Sequence, residues 1–139
     1  MSLMEQVYRE VLVERSRRPR HHGVADPQTH SQEGVNPSCG DELVLSLNVQ
    51  EGTVAEARFT GHGCAISQAS ADLMAEAITG RTVAEALKLS AAFRAFIRGE
   101  NPGLELGELQ ALEGVRKLHA RVKCATLPWT TLDEAIRQG

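Results

Sequence analysis

Residues 43–59 carry the pattern that most limits how this chain can fold. Leu43, Leu45, Leu47 and Val49 alternate with Val44, Ser46, Asn48 and Gln50, and a second run holds Val54, Ala55, Ala57 and Phe59. Glu51-Gly52 lies between them as a tight turn, so the two runs read as an antiparallel hairpin. Two strands alone are rarely stable in water. A third strand is therefore expected in residues 34–37 or elsewhere in the early segment, and a covering layer must come from the rest of the chain.

That layer is helical. Leu3, Val7 and Val11, with Met4, Tyr8 and Leu12 beside them, recur at helical spacing over residues 3–16, and Pro19 and Gly23 close the helix. Residues 24–38 are polar, contain Pro27 and Pro37, and read as an irregular connection. After Cys64, the small residues Ala65, Ser67, Ala69, Ser70 and Ala71, with Ile66, Leu73, Met74 and Ile78, suit a closely packed helix that ends at Gly80. Thr82-Val83-Ala84-Glu85 is a capping box that opens another helix. A further helical stretch over 91–97 is broken by Gly99 and Pro102, a short helix is expected over 107–112, and weak helical patterning runs over 115–122. Leu132, Ala135 and Ile136 mark a final helix capped by Thr126, with Pro128 in its first turn. Strands followed by helices predict an α+β fold: one domain over residues 1–139, with helices on one face of a small antiparallel sheet.

The 139 residues are 42% apolar and 24% charged, which suits a globular chain with a modest core. A formal net charge of −3 lacks the basic excess that phosphate neutralisation requires, so nucleic acid is a poor partner. The cluster Arg15, Arg17, Arg18 and Arg20 reads as a solvated helix end, or as a docking site for an acidic partner. No stretch approaches the ~18 consecutive apolar residues of a membrane span, and Glu5 and Glu10 interrupt any signal-peptide pattern. A cytoplasmic protein that does not enter membranes is expected.

The three cysteines occur in NPSCGD around Cys39, GHGCA around Cys64 and KCATL around Cys124. An odd number without a secretory signal suits thiols or metal ligands better than disulfides. Singly, each is equally well a small buried hydrophobe. Together they share a context, because each lies at a joint: before a strand, before a helix and before the last helix. Gly40, Gly61 and Gly63 allow close approach or serve as ordinary turn residues, and Asp41 lies two positions beyond Cys39. Cys64 and Cys124 at helix starts would have free amide N–H groups that favour the thiolate. Three thiolates and a carboxylate make a tetrahedral set suited to zinc, at about 2.3 Å for sulfur and about 2.0–2.2 Å for oxygen. Arg121 and Lys123 would offset its net negative charge, unless they merely form a solvated face. His62 and His119 lie near cysteines in sequence as candidate neighbours, whereas His21, His22 and His30 sit in the polar segment.

The motifs NPSCGD, GHGCAIS and KCATLPW, with the opening YREVLVERSRRPRHHG, resemble the IscU-like (NifU N-terminal-like) iron–sulfur assembly family over nearly the whole chain. The resemblance implies a compact α+β fold with Cys39, Asp41, Cys64 and Cys124 converging, a cysteine desulfurase as partner, and supply of sulfur for cluster assembly. The housekeeping scaffolds of that family carry a histidine before the third cysteine and an LPPVK motif preceding it. Here Lys123 stands in the first place and RKLHARV in the second, and residues 91–106 form an extra stretch with helical character. These departures match the zinc-dependent SufU type. A protonated lysine has no lone pair to give a metal, which favours zinc with Asp41.

The activity so implied is that of a sulfurtransferase-like carrier working with a SufS-type desulfurase and passing sulfur to the downstream assembly machinery. A thiolate here would take the outer sulfur of the partner's persulfide. By resemblance Cys39 carries that step, with Cys124 second. A scaffold building a transient [2Fe–2S] cluster on the same cysteines is the alternative, and a structural zinc module is a further one.

Overall fold

The computed structural model describes residues 2–137. In chain order its elements are α1 (Leu3–Arg17), β1 (His30–Asn36), β2 (Asp41–Gln50), β3 (Thr53–His62), α2 (Ala65–Ile78), α3 (Val83–Ile97), a 3₁₀ segment (Gly107–Lys117) and α4 (His119–Arg137). The three strands form one antiparallel sheet in the order β1-β2-β3. Leu45 pairs with Phe59 and Leu47 with Ala57. Together with Leu43 and Val54 these side chains make the buried face, on which α2 and α4 lie. The expected α+β arrangement, with helices on one face of a small sheet, is the one observed.

The third strand is longer than expected and its pattern is inverted. Val35 is its one apolar residue and is half exposed, while Gly34 and Asn36 face inward and are buried. Gly34 allows α4 to lie directly on β1, because a Cβ there would collide with the Thr131 hydroxyl. The connection before β1 runs along the outside of the sheet. The Gly23 N–H donates to the Phe59 carbonyl (2.9 Å), the Ala25 N–H to Ser46 Oγ (2.8 Å) and the Thr29 N–H to the Leu47 carbonyl (2.8 Å). A segment without hydrophobic period is thus held by backbone hydrogen bonds to the strands it crosses.

α2 is the central helix and is buried almost all round. Its small residues bring α4 close: Ser70 Oγ donates to the Ala125 carbonyl (2.6 Å) and accepts from Trp129 Nε1 (3.3 Å). Trp129 also stacks on Phe93 of α3 at 4.8 Å between ring centroids. The Thr82 capping box is present and the stretch expected over 91–97 is helical, but it continues the same helix, so α3 runs unbroken to Ile97; residues 98–106 are not helical, which corrects the extra helical stretch expected over 91–106. Leu106, Leu109, Leu112 and Val115 are buried at intervals of three, the spacing that aligns side chains on a 3₁₀ helix.

Two further expectations are corrected. α4 begins at His119 instead of after Thr126, so Pro128 lies inside the helix and has no N–H for the Cys124 carbonyl. Arg15 is not part of a solvated helix end. It is buried and pairs with Asp72 (2.8 Å), Glu76 (2.9 Å) and Glu108 (2.9 Å), tying α1 to α2 and the 3₁₀ segment. Among the described residues, no helix is long and apolar enough to cross a membrane.

Candidate metal centre

β1 and β2 are joined by a tight turn at one end of the sheet. Asn36 pairs with Asp41 across it, the Cys39 N–H reaches the Asn36 carbonyl (3.3 Å), and Gly40 adopts φ +70°. That left-handed conformation suits glycine, and it places Cys39 next to the end of the ladder. Its half-buried thiol contacts the Ala120 carbonyl at 3.7 Å and neighbours Cys124.

Asp41 is the first residue of β2 and shares the inward face with Leu43, Leu45 and Leu47. A carboxylate that is 1% exposed requires donors, and it has them. Oδ1 accepts from the Cys64 N–H (2.9 Å) and Ser67 Oγ (3.3 Å), and Oδ2 accepts from Asn36 Nδ2 (3.4 Å). Gly63 is required by this packing, since a Cβ would lie 2.5 Å from Asp41 Oδ1 and 2.6 Å from Ser67 Oγ.

Cys64 is the N-cap of α2, at the helix start as expected. Cys124 is not at a helix start. It lies in the second turn of α4 and is fully buried. Burial, and then the neighbouring Asp41, Cys39 and Cys64, push its thiol well above the usual range, the reverse of the expected effect of a helix N-terminus. The ligand atoms of Cys39, Asp41 and Cys124 lie within 4.8 Å of one another. Cys64 stands beside this trio, with its amide on Asp41 and its thiol close enough to act on Cys124.

Arg121, one helical turn before Cys124, faces all three thiols from the rim; the Cys124 contact and the charges of Cys64 and Cys39 strengthen its hold on its proton. Lys123 is exposed, and among the described residues it makes no ion pair, so its expected role in offsetting the site's charge is not seen. His62 is exposed and faces Glu42 at 3.3 Å, and His119 is exposed at the start of α4; neither joins the cluster. Sequence reasoning missed Asn36 and Ser67. Their signal was parity and helical phase: Asn36 stands opposite Asp41 in the ladder, and Ser67 lies one turn after Cys64.

The donor set fits zinc. Sulfur ligands at about 2.3 Å around a tetrahedral ion lie roughly 3.8 Å apart, so the trio Cys39, Asp41 and Cys124, within 4.8 Å of one another, closes with side-chain shifts of about 1 Å. A bound dication would also remove the cost of ionising Cys124 in a buried site.

Residues 7–137 match the family described as NifU-like N terminal domain. A Streptococcus pyogenes protein named iron–sulfur cluster assembly scaffold protein IscU is 40% identical over 100% of this chain and 88% of its own length. A Bacillus subtilis protein named zinc-dependent sulfurtransferase SufU is 36% identical over 96% of this chain and 91% of its own. Among solved structures, a Fervidobacterium islandicum protein described as an iron–sulfur cluster assembly scaffold for the SUF system superposes with a TM-score of 0.87 at 35% identity. That match covers 95% of this chain and 98% of the other.

Proposed function

This chain belongs to the NifU-like N terminal domain family of iron–sulfur cluster assembly proteins, and on that premise we propose that it is a zinc-bound sulfur acceptor for a cysteine desulfurase. Cys39, Asp41, Cys64 and Cys124 would hold the zinc. One observation carries the reading: a buried carboxylate, tied by three hydrogen bonds, stands among the thiols, and the side chain next to Cys124 is an exposed lysine instead of an imidazole. An oxygen donor completes a zinc site, and a protonated lysine cannot supply the nitrogen ligand a cluster would use. The Bacillus subtilis relative's name points the same way.

Bound zinc would keep the thiols ionised without redox chemistry of its own. Cys39 and Cys64 are both half-buried while Cys124 is enclosed; of the two accessible thiols, the resemblance favours Cys39, in the turn before β2, as the acceptor. Its thiolate attacks the outer sulfur of the partner's persulfide. A new S–S bond forms on Cys39, the partner's S–S bond breaks, the partner's cysteine leaves as thiolate, and the proton stays on the transferred sulfur. Arg121 at the rim faces the thiols and would offset the charge of the attacking thiolate.

The names of the Streptococcus and Fervidobacterium relatives favour a second reading, assembly of a [2Fe–2S] cluster on the same cysteines. Metal analysis of anaerobically purified wild type and Asp41→Ala, followed by sulfur-35 transfer from a desulfurase charged with labelled cysteine, separates the two. About one zinc per chain in the wild type and label on Cys39 are expected. Iron with acid-labile sulfide would establish the scaffold instead, and zinc without label would leave a structural module.

A further inference from the structure

We propose that Asn36 is a positioning residue that holds Asp41 and Cys124 as the permanent half of the metal centre, leaving Cys39 as the group free to react. The inference rests on the metal-centre reading above. Asn36 is 6% exposed, and a buried amide must place both of its ends. Nδ2 faces Asp41 Oδ2 at 3.4 Å and Cys124 Sγ at 3.8 Å, while Oδ1 accepts from Ser38 Oγ at 3.1 Å. Chemistry sets this orientation. A carboxylate and a thiolate only accept, so the NH₂ end must face them, and the Ser38 hydroxyl donates to the carbonyl end.

One side chain therefore bridges a ligand candidate on β2 and one on α4. Its own backbone is fixed by the ladder pairing with Asp41. The other Asp41 oxygen is held by α2 through the Cys64 amide and Ser67, so three elements agree on where the carboxylate sits. Among the described residues the Asn36 side chain makes no bond to the Cys39 thiol, which neighbours Cys124 instead. Cys39 lies in the turn that Asn36 and Asp41 close, with a 3.7 Å contact to a carbonyl. A donor on the Cys124 sulfur also draws electron density from it, making it the poorer nucleophile of the two.

The test uses the full chain, stripped of metal and titrated with cobalt(II), whose visible bands report ligand geometry, and with zinc against a chromophoric chelator. Asn36→Asp keeps the shape and loses the donor. It is expected to weaken zinc by about 10–100-fold, as outer-shell changes do, and to alter the cobalt bands. Ser38→Ala, which only releases the amide's orientation, should move both readouts the same way by less, and it remains informative if Asn36→Asp does not fold. Alkylation of the zinc-loaded protein should modify Cys39 first in the wild type and lose that order in Asn36→Ala. Wild-type affinity, bands and alkylation order in the variants would overturn the role of Asn36 alone. A wild type that binds neither ion would overturn the metal-centre reading and this inference with it.

Discussion

α2 passes two buried carboxylates along its length, and they are neutralised in opposite ways. Asp72 meets Arg15, a cation supplied by the chain and buried with it, and the pair is extended by Glu76, Glu108 and the His21 amide. Asp41 lies among three thiols and receives neutral donors, the Cys64 N–H, the Asn36 amide, the Ser67 hydroxyl and the Cys124 thiol, while Arg121 stays exposed at the rim. The first cluster is complete as folded. In the second the buried carboxylate has no buried cation beside it among the described residues, and on the metal-centre reading an external cation would take that place.

The comparison breaks most sharply on removal of the cation. Arg15→Ala leaves Asp72 buried and unpaired and should cost about 3–5 kcal/mol, read as a loss in urea midpoint that zinc does not restore. If stability is unchanged, Arg15 is not what neutralises that end of α2. Removing zinc from the wild type with a chelator should cost about 4 kcal/mol when free zinc is a thousand times its dissociation constant. The chelator should barely move Asp41→Asn, whose metal-free form should melt close to the metal-free wild type. Equal losses in both proteins would show that Asp41 is not part of the centre.

Acid sharpens the difference further. Hydrogen bonding by Arg15 holds Glu76 below the ordinary glutamate range. A carboxylate depressed on folding contributes stability that is present above its unfolded pKa of about 4.3 and is lost as pH falls through the folded value. Metal-free protein should therefore lose stability below about pH 4.3, more steeply than Arg15→Ala does in the same titration. Parallel pH profiles would remove Glu76 from the network. The smallest effect concerns the rim. Arg121→Ala should speed zinc loss to a chelator, and Lys123→Ala should leave that rate as it is. Equal effects would mean that both cations act only through long-range charge.

What was legible followed local rules. The β2–β3 hairpin shows in its period of two, α2 in its small residues, and the start of α3 in its capping box, and each forms where expected. β1 was illegible because its inward positions are Gly34 and Asn36 and its one apolar residue points outward; tertiary contact with α4 and pairing with β2 hold it instead. The start of α4 was misplaced because Thr126 and Pro128 look like an N-terminus. In the structure Thr126 Oγ1 donates back to the Val122 carbonyl (3.1 Å), and packing on α2 carries the helix through the proline. Arg15 was hidden in a basic run because composition does not say which of four arginines meets a buried carboxylate.

By itself, the sequence determined the chemistry available: three thiols, a carboxylate two residues beyond the first, and glycines where close approach is needed. It also determined the hairpin that carries that carboxylate, since alternation places Asp41 on the same face as Leu43, Leu45 and Leu47. Only the tertiary structure decided which groups meet and in what state. Cys124 is buried by a helix that begins earlier than its local signals indicate, so desolvation, not a helix terminus, governs its thiol. The same helical phase turns Arg121 to the thiols and Lys123 to solvent. Burial and phase depend on how β1, α2 and α4 come together, and residue identity alone does not encode the distance between them.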